Sequence, residues 1–238
     1  MTVHKRIIAD WTSVQRLFIL LDNCPTLTTM TNPAKTHPRD AFIAAGKTLY
    51  PRYGYRQLSV RLLAAEAGLS PGMFHHLFAD KEAYIAEVLQ HKYDEAFAQL
   101  TLHIRPGRSE RDNLQAMLTY LAVFVRENID WVSHIFADAA EVPGIRDFIR
   151  LHATRHIELL YNLLDNAARR GLLKPAATVQ RSGFLMGAIA APLLIGSRMQ
   201  ATGILPDIIA ADFAPAVMSD AAIAVAVRAQ KLIMLTDV

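Results

Sequence analysis

The sequence predicts an all-α fold, and three observations lead there. Apolar residues recur at i, i+3 and i+4 through most of the chain after residue 40, and no stretch alternates with the period of two that a half-buried strand needs. Capping residues precede these stretches and Gly or Pro follows them, as helix ends require. With 52% apolar and 20% charged residues over 238 positions, the chain can bury a large core and is neither fibrous nor disordered as a whole.

Residues 1–37 stand apart from this pattern and are expected to form an N-terminal extension, disordered or partly helical. Met30 opens a polar lead, MTNPAKTHPRD, and is expected to be the biological start; the competing expectation is a helical arm around Trp11 to Leu21. From Gly54 to Glu82 the chain reads GYRQLSVRLLAAEAGLSPGMFHHLFADKE. Ser59 caps a short helix whose Val60, Leu63, Ala64 and Ala67 share one face, and Gly68 ends it. Ser70 caps the next, with Pro71 at the first helical position, where its missing N–H costs nothing. On that second helix Phe74, Leu77 and Phe78 point one way, while Gly72, His75 and His76 point outward. Two short capped helices about a tight turn form a helix-turn-helix, whose outward residues face a DNA groove.

Asp80 caps a longer helix that runs until Pro106-Gly107 and connects this element to the rest. Ser109 to Asp112 has capping-box spacing and opens a helix through Leu114, Met117, Leu118, Leu121 and Phe124. Helices are then predicted from Ile129 to Ala140, from Pro143 to Arg169-Arg170-Gly171, from Thr178 to Ala201 and from Pro215 to Leu235. The domain boundaries expected are 38–80 for the helix-turn-helix domain and 81–238 for a helical second domain.

The formal charge of +3 is unevenly spread: residues 30–93 hold eight Lys/Arg against five Asp/Glu, so the excess lies on the helix-turn-helix. That is consistent with a nucleic-acid partner without requiring one. A single cysteine, Cys24, excludes an internal disulfide framework and points to the cytoplasm. The apolar stretch GFLMGAIAAPLLIG is about fourteen residues long and contains Gly and Pro, so a buried helix is expected rather than a membrane span. LFILL is too short for a signal-peptide core.

The segment from about Phe42 to Tyr84 resembles, without gaps, the DNA-binding domain of the tetracycline-repressor (TetR) family of bacterial regulators. AFIAAGKTLYPRYGY holds the place of the family's first helix, SVRLLAAEAGLS that of its Thr/Ser-Val-x-x-Ile-Ala run, and FHHLFADKE that of its Leu-Tyr-x-x-Phe ending with Lys-Glu. His75 stands where tyrosine is usual, and Pro71 and Met73 where polar residues are commoner. The resemblance implies a helix-turn-helix three-helix DNA-binding domain joined to a helical ligand-binding and dimerisation domain. It also implies that Ser59 and Ser70 cap helices facing phosphates, that Arg61 reaches a base or the backbone, and that Lys81 clamps a phosphate. With Gly72, Met73, His75 and His76 on the outward face, these form the expected DNA contacts.

The resemblance further implies a homodimer through the last two helices, on which Gly183, Gly187, Ala190, Ala191, Ala221 and Ala224 permit close approach. It places a small, largely apolar effector in the second domain, for which Trp131, His134, Phe136, Phe148 and His152 are the expected lining. His152 and His156 stand i, i+4 on one helix face, but no third ligand follows at metal-binding spacing, so no metal and no cofactor are assigned. The expected function is a ligand-responsive repressor acting on a palindromic double-stranded DNA operator, not an enzyme. The alternative is a helical small-molecule or metal-binding protein, or an enzyme, of the same fold without operator binding; a dimeric scaffold that has lost DNA binding is a further one.

Overall fold

The computed structural model describes residues 37–236, so the N-terminal extension, Met30 as a start and the Trp11 to Leu21 arm lie outside the described residues. Ten α-helices follow in order: α1 Pro38–Gln57, α2 Val60–Ala67, α3 Pro71–Leu77, α4 Lys81–His103, α5 Glu110–Glu127, α6 Ile129–Ala139, α7 Pro143–Arg169, α8 Thr178–Ala201, α9 Asp207–Phe213 and α10 Asp220–Met234. Among the described residues the only β pairing is an isolated bridge between Leu173 and Leu235, so the fold is all-α.

Local chemistry sets most helix starts. Ser59, Ser70, Asp80 and Ser109 accept hydrogen bonds from the amides of Leu62, Met73, Ala83 and Asp112, each satisfying one donor that the first turn leaves orphaned. Gly68 ends α2 in the left-handed conformation (φ 66°), which a side chain would resist. The C-terminal helix is where the expectation from Pro215 fails. Ser219 is the true cap, its Oγ accepting from the Ala222 amide at 3.1 Å, while α9 and a π-helical turn over Ala214–Met218 precede it at a bend of 76°.

Two apolar clusters organise the molecule. One gathers Leu100, Met117, Leu118, Leu160, Leu164, Leu185, Ile189, Ile223 and Val227 from α4, α5, α7, α8 and α10. The other begins with Phe42, Leu49, Leu63, Phe74 and Phe78, then takes in Tyr84, Ile85 and Val88 of α4, Trp131 of α6, and Val142 and Ile145 at the start of α7. The core under the helix-turn-helix therefore continues past residue 80. At its centre the rings of Phe42, Phe74, Phe78 and Tyr84 meet edge-on or tilted, with centroids 4.8–6.0 Å apart. Tyr84 Oη donates to the Phe42 carbonyl at 2.7 Å and occupies the space a side chain at Gly46 would need.

Candidate nucleic-acid interface and effector region

On the helix-turn-helix most of the expected contact residues lie at the surface. Ser59, Arg61, Ser70, Gly72, Met73, His75 and His76 are all exposed, whereas Phe74 beneath them is fully buried. The two serine caps hold the starts of α2 and α3 whether or not a ligand is near, and each hydroxyl keeps an O–H to offer. The His75 ring rests edge-on against Phe74 at 5.6 Å, which orients it.

Lys81 sits differently. Its ammonium donates to the carbonyls of Tyr55 (2.8 Å) and Leu58 (3.1 Å) and lies 4.0 Å above the Tyr55 ring, leaving one N–H for any other partner. Burial lowers its pKa, while the Asp138 charge opposes that effect. Lys81 thus braces the end of α1 against the start of α4. A second brace, which no local pattern announced, is Arg39. It forks onto Glu87 (2.7 and 2.5 Å), donates to the Leu77 carbonyl at the end of α3 (2.9 Å) and lies 4.8 Å from the centre of the Phe78 ring. Only the i+48 pairing reveals it.

This geometry, a capped two-helix reader with a basic exposed residue on a rigid aromatic core, lies within residues 42–88, the segment that matches the profile of "Bacterial regulatory proteins, tetR family". Residues 42–88 thus carry a DNA-binding domain of the TetR family. Among similar proteins, the HTH-type transcriptional regulator BetI of Brucella canis is 26% identical over 151 residues, covering 61% of this chain and 76% of that one. The HTH-type transcriptional regulator YuxN of Bacillus subtilis is 32% identical over 126 residues, covering 50% and 43%. Among solved structures, a transcriptional regulator from Rhodococcus sp. Rha1 superposes with a TM-score of 0.64 at 18% identity, covering 84% of this chain and 98% of that one. One from Saccharomonospora viridis in complex with choline gives 0.64 at 14% identity over 85% and 100%. Bacillus subtilis FadR in complex with stearoyl-CoA gives 0.56 at 14% over 76% and 98%; at such identities the likeness is one of fold. The relatives and structural neighbours that this chain matches are transcriptional regulators, not enzymes.

In the second domain, the five residues expected to line an effector site do not form one group. Trp131 is buried in the N-terminal core, its ring 5.0 Å from that of Tyr50. His134 packs on Gly54, and Phe136 is 64% exposed. Phe148 and His152 do meet, with centroids 4.5 Å apart, in a cluster that also contains Tyr93, Phe97 and His156 between α4 and α7. Tyr93 was not expected there, although its place on the apolar stripe of α4 and its polar tip were both visible. Its Oη and the Nδ1 of His152 are buried without a hydrogen-bond partner. Arg155 covers the rim, 3.6 Å from Asp94 and 5.9 Å from the centre of Phe97. Among the described residues no group of three metal-ligating side chains forms. A separate cavity of about 550 Å³ opens between Pro51, Arg126, Asn128, Trp131, Leu194 and Arg198, and a groove of about 470 Å³ lies over His103 and Tyr120.

Burial holds the His152 and His156 imidazoles below the usual histidine value, with Arg155 pushing His152 further the same way and Asp94 opposing it. A base whose folded pKa is depressed contributes stability above its unfolded pKa of about 6.5, and this is lost as pH falls through the folded value. The unfolded chain takes up the protons first. The melting temperature should therefore fall between pH 7.5 and pH 5, and fall less in the His152→Gln, His156→Gln double variant. Equal losses in the two proteins would show that these imidazoles play no part.

Proposed function

We propose that this regulator is a homodimeric, ligand-responsive repressor acting in the cytoplasm on a palindromic operator. The observation that carries the dimer is the uncovered apolar stripe on the last long helices. Phe184, Gly187, Ala191 and Ile195 follow one another along an exposed face of α8, and Ala221, Val225 and Leu232 along one of α10. By length and composition α8 could cross a membrane, contrary to the sequence expectation, yet only 28% of its most apolar window is buried within one chain. In a regulator that reads DNA, a second copy laid across α8 and α10 covers this surface as a four-helix bundle. Two readers about 34 Å apart then meet successive major-groove faces.

The DNA contacts proposed are Ser59, Arg61, Ser70, Gly72, Met73, His75 and His76, with Lys81 offering at most its remaining N–H. For the effector, the unpartnered Tyr93 Oη and His152 Nδ1, set among Phe97 and Phe148, favour a largely apolar molecule carrying one hydrogen-bonding group. Two structural neighbours were solved with choline and with stearoyl-CoA, so helical proteins of this fold accommodate small-molecule ligands. An effector wedged between α4 and α7 favours a spacing of the readers that cannot meet both half-sites.

The test is a salt-dependent shift assay on a duplex selected from random sequence by the full-length protein. Arg61→Ala should weaken binding by about 1–3 kcal/mol if the guanidinium reads a base, or uniformly with a salt slope shallower by about 1 if it holds a phosphate. A protein that selects no duplex at low salt would end the repressor reading.

A further inference from the structure

The helix-turn-helix and the second domain are joined by a buried carboxylate. At Gly54 (φ 62°, ψ −179°) α1 breaks, and the Tyr55 amide, which a continuous helix would send to the Pro51 carbonyl, donates instead to Asp138 Oδ2 at 2.9 Å. The same oxygen accepts the Tyr50 hydroxyl at 2.8 Å, and Asp138 is only 9% exposed. One turn earlier on α6, the His134 ring fills the space where a side chain at Gly54 would stand. Asp138 also anchors its own corner, because its carbonyl accepts from the amides of Glu141 and Val142 in the α6–α7 turn.

Tyr55 carries the connection onward. Its carbonyl and ring hold Lys81, the first residue of α4, and Lys81 holds the Leu58 carbonyl just before the Ser59 cap of α2. Hydrogen bonds thus run unbroken from the α6–α7 corner to the start of the helix-turn-helix, beside the path through α4 itself. The corner is pinned elsewhere too: Glu82 Oε1 accepts the Gly144 amide at 2.5 Å, and Arg56 pairs with Glu141 at 2.8 Å.

We propose that Asp138 is a positioning residue that locks the DNA-reading helices to the α6–α7 corner, so that displacement of the corner is transmitted to the reader through Tyr55 and Lys81. A charged acceptor suits this role, since hydrogen bonds to an ionised group are the stronger kind and a buried carboxylate loses measurable stability with either donor. The proposal rests on the chain being a DNA-binding regulator. By linkage, a corner that biases the reader must itself respond when the reader is held by DNA.

The experiment is amide hydrogen exchange of the full-length protein, free and bound to a duplex it has selected from random sequence. In the wild type, DNA should slow exchange across residues 129–142 by about tenfold, a coupling of ordinary size, although this segment is not among the proposed DNA contacts. Asp138→Asn, which keeps an acceptor oxygen, should retain most of that protection. Asp138→Ala should lose it to within about twofold while DNA still protects α2 and α3, a pattern that mere loss of stability would not produce. If Asp138→Ala fails to fold, Tyr50→Phe serves, removing one donor without changing shape, and should reduce the protection at least threefold relative to wild type. Undiminished protection in the folded variant overturns the lock, as does wild-type protein that binds DNA with no change at 129–142. A wild type that selects no DNA overturns the regulator reading itself and the lock with it.

Discussion

Gly54→Ala should destabilise the protein by about 4 kcal/mol. The backbone there combines φ 62° with ψ −179°, a region open essentially to glycine alone, and holding another residue in it costs about 1–3 kcal/mol. A methyl group at that position would also stand 2.5 Å from His134 Nδ1, and forcing it into a packed core costs a further 1–3 kcal/mol or so. Neither cost is easily relieved, because Pro51 and the Tyr50 and Tyr55 bonds to Asp138 fix the chain on both sides of the break. The measurement is the urea midpoint, which should fall with the slope unchanged. A loss below about 1 kcal/mol would mean that α1 runs straight here and that the break is not a requirement of the fold.

Phe74→Ala should cost about 3–5 kcal/mol, the usual range for deleting a buried phenyl ring. Phe74 has no exposed surface and touches three other buried rings: Phe42 at 5.5 Å, Phe78 at 5.1 Å and Tyr84 at 5.1 Å. The location makes the loss more than a matter of global stability. α3 has seven residues, too few to persist as a helix in water, and Phe74 is its one fully buried anchor. The variant should therefore lose protection of the α3 amides before the C-terminal cluster melts, and its affinity for DNA should fall together with that local order. Fluorescence anisotropy with a labelled duplex, run beside hydrogen exchange, checks both. Full affinity alongside a melted α3 would contradict the assignment of α3 as the reading helix.

How much was legible beforehand depended on the range of the interaction. The caps at Ser59, Ser70, Asp80 and Ser109, the stop at Gly68 and the span Thr178–Ala201 are governed by residues within four positions of each other, and all stand where the pattern placed them. Pro215 misled because a proline at a first helical position and a serine cap four residues later are equally good starts; the packing of α9 decides between them, with Phe213 pressed against Gly196 of α8. Arg39 with Glu87, and Asp138 with Tyr50 and Tyr55, pair across 48, 88 and 83 positions and leave no local trace. Lys81 was visible as a cation in the right place, but the carbonyls that engage it were not. Of the five aromatic and imidazole residues singled out in the second domain, only Phe148 and His152 pack together. An aromatic residue at helical spacing reads the same whether it fills a core, faces solvent or lines a cavity.

The core that runs from Phe42 through Tyr84 and Val88 to Trp131 and Ile145 bears on how such regulators can be recombined. A reading head cut after residue 80 would leave behind the Tyr84 ring that closes over Phe74 and Phe78, the Ile145 side chain that completes the same apolar cluster, and the carboxylate that receives its Tyr55 amide. A chimaera joined at that seam exchanges half a core for one shaped to a different partner. The transferable unit is residues 38–89 together with the faces of α6 and α7 that cover them, and a designer who wants new operator specificity on this second domain would do better to alter the proposed contacts Arg61, Gly72, Met73, His75 and His76 in place.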